Sequence, residues 1–302
     1  MLTEGTQRRC DEREFSEEPD LYRFATTAMA TEFVLLFPSG DGHSVDYLSR
    51  AATECFTELG RLEAELSRYK PNSDISRINR LLAGESARVG MAAIDCLGLA
   101  LAVREETAGA FDITVGQLMD AFGSSRMPSA EDLRRAKTRT GGETFRVDYD
   151  ELAVTALCEG LALDLGGLGK GYALDQLGNM LETWGIDNAL VNAGDSTVLA
   201  LGSPPGEEGR GWPVRADGVA ENDGMLCLRN QSLSGSGFLQ KGAHIMDPRK
   251  GRPVAPKRLR TWAVAPTAAM SDALSTAFSV MTKKQVMALC RRHEGVEALF
   301  WK

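Results

Sequence analysis

The sequence predicts a mixed fold of helices and strands, and three observations predict it. The chain has 302 residues, of which 43% are hydrophobic, enough to bury the core of two modest domains or of one larger domain with two lobes. In residues 46–69, apolar side chains recur at Leu48, Ala51, Ala52, Cys55, Phe56, Leu59, Leu62 and Leu66, the interval of an amphipathic helix. In residues 161–175, LALDLGGLGKGYALD, a short apolar run ends in four glycines and a lysine before a helical pattern begins, which reads as strand, bare-backbone turn and helix.

That last stretch is suited to phosphate. Without Cβ atoms a ligand can lie against peptide N–H groups, and the following helix offers the positive end of its dipole. Two familiar fingerprints fail here. A Walker A loop would need Gly where Asp164 stands and Ser or Thr where Gly171 stands, and GxGxxG counted from Gly167 or Gly169 ends on Tyr172 or Leu174. Glycines that only permit tight packing explain the turn alone equally well.

A formal net charge of −8 and the lack of a dense Lys/Arg run argue against nucleic-acid binding. The six cysteines form no CxxC pair, so neither a zinc site nor a disulfide framework is signalled. The first residues are charged throughout, and no segment is long and apolar enough to span a bilayer. The expectation is a cytoplasmic protein without a membrane anchor, with a disordered segment over residues 1–21 and one domain of two lobes over residues 22–302.

Along that domain, residues 22–37 read as two strands separated by small residues, and Pro38 and Gly40 close the second. After the amphipathic helix, Pro71-Asn72-Ser73 makes a turn, and Ser73 or Asp74 caps a short helix through Ile78. Residues 92–107 form a helix ending at Gly109. In the following GAFDITVGQL, Asp112 stands between apolar neighbours and reads by itself as a bonded Asp capping the next segment. Residues 124–144 are a polar surface insertion with a short helix at 130–137, and residues 145–157 are a hairpin.

Residues 170–184 form the helix after the glycine turn. Residues 188–194 and 196–202 are two strands, joined by a polar turn carrying Gly194 and Asp195. Further strands fall at residues 212–216, 226–233 and 261–266. His244, one of only three histidines, sits near Asp247-Pro248 on a loop. Ser271 is expected to cap a helix over residues 272–281, where Asp272, Ser275 and Thr276 share one face near its start. Three hard oxygen groups facing one way suit Mg²⁺ bridged to a phosphate, although as caps they need no metal. A helix at 284–293 and a strand at 296–301 finish a chain without repeats.

Taken in order, the motifs AMATEF, LSRYKPNSDISRIN, GAFDITVGQL, LDLGGLGKGYALD, LVNAG, HIMDPRKGRPV and SDALSTAF resemble the FAD:protein FMN transferase family, the ApbE-like flavin transferases, from about Phe24 to the end. The resemblance implies an α+β, T-fold-like architecture with FAD between two lobes. It also implies a Mg²⁺-dependent activity that passes the FMN half of FAD to a Thr or Ser hydroxyl of an acceptor flavoprotein and releases AMP. By position it implies Met29, Tyr69, Ala110, Phe111, Asp112, Asp164, Lys170 and Met246 around FAD. Asp272, Ser275, Thr276 and the Gly167 carbonyl would hold the metal, and His244 would be the general base. The partners implied are FAD and the acceptor, with a homodimer left open.

This chain departs from the family pattern at Asp195, where a second Gly is usual, and at Gly235, where Thr is usual. It departs again at Ser275, where many relatives carry a carboxylate. FAD hydrolysis to FMN and AMP, or flavin binding without catalysis, are the competing readings.

Overall fold

The computed structural model describes residues 20–123, 128–141, 143–207, 209–219, 224–237, 245–255 and 260–301. Strands β1 (Leu21–Ala28) and β2 (Thr31–Pro38) form a hairpin whose two-residue turn, Met29 and Ala30, is left-handed at both positions, with φ 48° and 59°. Helix α1 (Val45–Leu66), capped by Ser44, follows; then come α2 (Asp74–Ile78), capped by Ser73, strand β3 (Ser86–Arg88) and α3 (Met91–Glu106). A 3₁₀ turn at Ile113–Val115, capped by Asp112, leads into α4 (Gly116–Gly123), which the sequence reading did not separate from the run before it.

Helix α5 (Ala130–Thr138) and the hairpin of β4 (Phe145–Asp148) and β5 (Ala153–Ala156) come next, followed by α6 (Gly169–Thr183). Then come β6 (Ala189–Ala193), β7 (Thr197–Leu201), β8 (Trp212–Arg215), β9 (Met225–Leu228), β10 (Gln231–Gly237), β11 (Met246–Asp247), β12 (Arg252–Pro253) and β13 (Arg260–Ala265). Helices α7 (Ala268–Val280) and α8 (Lys283–Cys290) and strand β14 (Glu297–Trp301) close the chain.

Seven strands make the main sheet in the order β1-β2-β6-β7-β10-β13-β14, with every neighbouring pair antiparallel. Alternation along the strands divides its side chains between two cores. Phe33, Leu35, Phe37, Val191, Leu199 and Ala263 belong to the large core with α1, α3, α6 and α7. Val198, Leu233, Trp262, Val264 and Leu299 belong to a smaller core with Trp212 and Leu228 of the β8–β9 pair. The mixed helix-and-sheet expectation is met.

Several local expectations are corrected. Residues 161–164 join no sheet. Their polar groups are satisfied instead by Asn79, whose Oδ1 accepts from the Leu163 N–H at 2.7 Å, and by the Ile113 carbonyl, which accepts from the Asp164 N–H at 2.7 Å. The expected strand at 226–233 is two strands that turn at Asn230, which takes the left-handed φ of 50°. Helix α7 starts at Ala268 with Thr267 as its cap, so Ser271 is an interior, fully buried residue. Cys55, Cys96, Cys158 and Cys290 are free.

Candidate active site

Helices α6 and α7 meet where the glycine turn ends. A Cβ on Gly171 would lie 2.1 Å from the Ala268 carbonyl oxygen, so that glycine is there for helix packing. Its N–H donates to Asp272 Oδ2 at 3.2 Å, and Lys170 Nζ stands 3.9 Å from the same oxygen. Asp272 is buried, and burial raises its pKa against the opposing pull of Lys170 and the Gly171 N–H.

Gly167 faces a different neighbourhood. A Cβ there would lie 3.0 Å from Thr276 Oγ1 and 3.4 Å from the Phe111 ring, so the bare backbone lies between the hydroxyl and the aromatic edge. Behind Thr276, Ser236 Oγ of β10 is 2.8 Å from Ser275 Oγ and 3.1 Å from Thr276 Oγ1. Ser275, fully buried, donates to the Asp272 carbonyl at 2.9 Å. Gly167, Lys170, Asp272, Ser275, Thr276 and Phe111 are thus brought together from three separate stretches of sequence.

The side chains present fit a hard cation: one carboxylate and neighbouring hydroxyls are oxygen ligands of the kind Mg²⁺ takes. With one carboxylate and Lys170 close by, a cation held there would need further anionic ligands to complete and balance its shell. Among the described residues no three His, Cys, Asp or Glu side chains cluster as a metal cage.

The other predicted residues have neighbours of their own. Ala110 is fully buried; Asp112 Oδ1 accepts from the Thr114 N–H and hydroxyl at 2.8 and 2.6 Å, and its Oδ2 accepts from Arg104 Nε at 2.7 Å. Those bonds are the cap that the sequence suggested, and they fix the loop carrying Phe111. Asp164 Oδ1 accepts from the Gly166 N–H at 2.7 Å, and its Oδ2 pairs with Arg68 Nη1 at 2.8 Å. Tyr69 is 83% exposed, with the Arg68 guanidinium 5.5 Å from its ring centroid. Met246 is buried with Leu118 and Ala136 in a small third core. His244 lies outside the described residues.

Sequence reasoning missed three residues. Arg68 bridges Asp164 and Asp120, the latter at 2.7 Å, and Asp120 lines a cavity of about 390 Å³ together with Gln117, Arg135 and Arg139. Asp175 accepts from the Ala268 and Ala269 N–H groups at 2.6 and 2.8 Å and so closes the start of α7. Glu63 accepts from the Met29 N–H at 2.8 Å. No local pattern marks them, because each acts on a distant part of the chain.

Two departures from the family pattern have a shared physical setting. A Cβ on Gly235 would lie 2.6 Å from the Trp262 ring, whose face carries the Arg260 guanidinium at 4.0 Å. Arg260 Nη2 donates to the Asp195 carbonyl, so a cation stands beside the turn that carries the additional acid.

An antiparallel sheet backed by helices, with a glycine turn, lysine and buried acid at the junction of two of them, defines an α+β protein. Comparison with known proteins narrows the class: the ApbE family model matches residues 29–300, and the chain belongs to that family. It is 29% identical over 263 residues to the FAD:protein FMN transferase of Escherichia coli K12, covering 80% of this chain and 73% of the relative. Among solved structures, the flavinyl transferase ApbE of Pseudomonas stutzeri in its apo form superposes with a TM-score of 0.81 at 25% identity, covering 95% and 94% of the two chains. The ApbE protein of Thermotoga maritima superposes with a TM-score of 0.79 at 27% identity, covering 93% and 94%.

Proposed function

We propose that this chain transfers the FMN moiety of FAD to a Thr or Ser hydroxyl of a target protein, using Mg²⁺ and releasing AMP. The observation that carries the reading is the bare backbone at Gly167, set between the Thr276 hydroxyl and the Phe111 ring, with Lys170 in the first turn of α6 and Asp272 one turn before Thr276 on α7. Its relatives' name, FAD:protein FMN transferase, supplies the chemistry that this geometry suits.

In the proposed reaction the acceptor oxygen attacks the phosphorus of the FMN half. The bond from that phosphorus to the bridging oxygen breaks, and AMP leaves with the bridging oxygen. His244 takes the hydroxyl proton. Lys170 neutralises charge on the pyrophosphate as AMP departs. Asp272, Ser275, Thr276 and the Gly167 carbonyl are assigned to Mg²⁺, which when bound adds further neutralisation there. Met29, Tyr69, Ala110, Phe111, Asp164 and Met246 are assigned to FAD, and Asp112 supports the loop that presents Phe111. We further assign FAD to a cleft between two lobes.

The test is to mix protein, FAD and Mg²⁺ with and without a flavoprotein bearing an accessible Thr or Ser, and to follow AMP and protein-bound flavin. Transfer requires AMP and covalent flavin in equal amounts, only with acceptor. AMP without acceptor means hydrolysis, and FAD binding without AMP means a flavin carrier.

A further inference from the structure

The turn between β1 and β2 is built from two non-glycine residues in the left-handed region, Met29 and Ala30, a conformation that needs outside support. That support comes from α1. Glu63 Oε1 accepts from the Met29 N–H at 2.8 Å, while its Oε2 accepts from Lys70 Nζ at 2.6 Å. Lys70 directly follows Tyr69. One carboxylate therefore ties the Met29 turn to the segment after α1, and the two residues assigned to FAD from these regions sit on either side of it. The Lys70 hydrogen bond and the Met29 N–H together outweigh burial and hold the Glu63 carboxyl below its usual pKa, so the clip is charged at neutral pH.

We propose that Glu63 is a positioning residue for the flavin nucleotide, fixing the spacing between Met29 and Tyr69, with Lys70 acting through it. The inference rests on the reading that Met29 and Tyr69 flank FAD. Glu63 touches no reacting atom, so its loss weakens FAD binding and leaves the chemical step alone. Tyr69 is exposed and, among the described residues, is otherwise held only locally, by its N–H bond to Ser67 Oγ at 3.3 Å and by the Arg68 guanidinium over its ring, so the clip is its tie to the β1–β2 turn.

The experiment uses the full chain and reads Kd and KM for FAD, kcat for AMP release at saturating FAD, and Tm. Glu63→Ala is expected to raise Kd and KM about tenfold with kcat within about twofold. Lys70→Met is expected to raise Kd about threefold. Glu63→Gln keeps an acceptor for Met29 but loses the charge that holds Lys70, and should match Lys70→Met. Adding Lys70→Met to Glu63→Gln should then change nothing further, since the two share one interaction.

FAD affinity unchanged in Glu63→Ala and Lys70→Met, with Tm lowered or not, overturns the proposal, because a purely structural clip moves Tm alone. An additive double variant also overturns it, by showing that Lys70 meets FAD independently. If Glu63→Ala does not fold, Glu63→Gln and Lys70→Met decide by the same criteria. Failure of the flavin-transfer reading looks different: the unaltered protein would then show no saturable FAD binding.

Discussion

Helix α7 begins with its early N–H groups taken by the protein: Ala268 and Ala269 donate to Asp175, and Met270 donates to Thr267 Oγ1 at 3.3 Å. Helix α6 begins with Leu168, which offers no side-chain cap, after a glycine turn, and with Lys170 in its first turn. The two helices are packed together, yet one carboxylate takes two N–H groups at the start of α7, whereas at the start of α6 Gly169 donates to the Leu165 carbonyl at 2.7 Å and Gly171 to Asp272 Oδ2 at 3.2 Å. A helix start meant only for stability resembles that of α7. That of α6 is assigned to the pyrophosphate in the proposed reaction, and Asp272 of α7 reaches across to its Gly171 N–H.

The largest expected effect comes from cutting the link between the two helices. Asp272→Ala should lower Mg²⁺-dependent AMP release by at least ~10²-fold while the protein stays folded. A near-normal rate with an unaltered Mg²⁺ midpoint would place the metal elsewhere and make Asp272 a structural acceptor. Removing the closure of α7 should instead act on stability. Asp175→Ala leaves two N–H groups without their acceptor and should cost about 2 kcal/mol by denaturant unfolding; a loss below ~0.5 kcal/mol would show that the α7 start needs no internal cap.

Asp175 also sharpens the contrast through pH. Burial raises its pKa from 3.8 to about 6, against the two N–H bonds and with help from Asp272. The folded state then holds the proton more tightly than the unfolded chain. The stabilisation from this group is full below 3.8 and is lost as pH rises through about 6. Between pH 7.5 and pH 5 it should restore on the order of 1–2 kcal/mol, measured at matched pH against Asp175→Asn, which lacks the titration. Equal pH slopes in the two proteins would contradict this.

The smallest effect is expected at the glycine turn before α6. Gly167→Ala places a methyl group where Thr276 must give by a few tenths of an ångström, so FAD affinity should fall by about fivefold with Tm little changed. Unchanged affinity would mean that the turn serves packing only, as it does at Gly171.

Much of this was legible beforehand. The period of α1 and its buried stripe followed from Leu48, Ala51, Ala52, Cys55, Leu59 and Leu62, because a helix that covers a core repeats its apolar positions. The caps Ser73 and Asp112 were equally local, since an Asx or Ser side chain bonds N–H groups two or three residues on. The cap of α7 was misread because Thr267 and Ser271 each fit a helix start. Ser271 is used elsewhere: its hydroxyl lies 2.9 Å from that of Ser232 and 2.6 Å from that of Ser234, inside the sheet–helix interface.

Sequence by itself determined the elements that local spacing controls: the amphipathic helices, the hairpins, the glycine turn before α6, and the carboxylate and hydroxyls on one face of α7. Only the tertiary structure decided which of these chemistries meet. Glu63 reaches Met29 across 34 residues of chain, Asp175 closes α7 across 93, and Arg68 pairs with Asp164 across 96. Such bonds leave no periodicity in the sequence, because the residues between them set only where the chain returns, and the return is fixed by the packing of the seven-stranded sheet against α6 and α7.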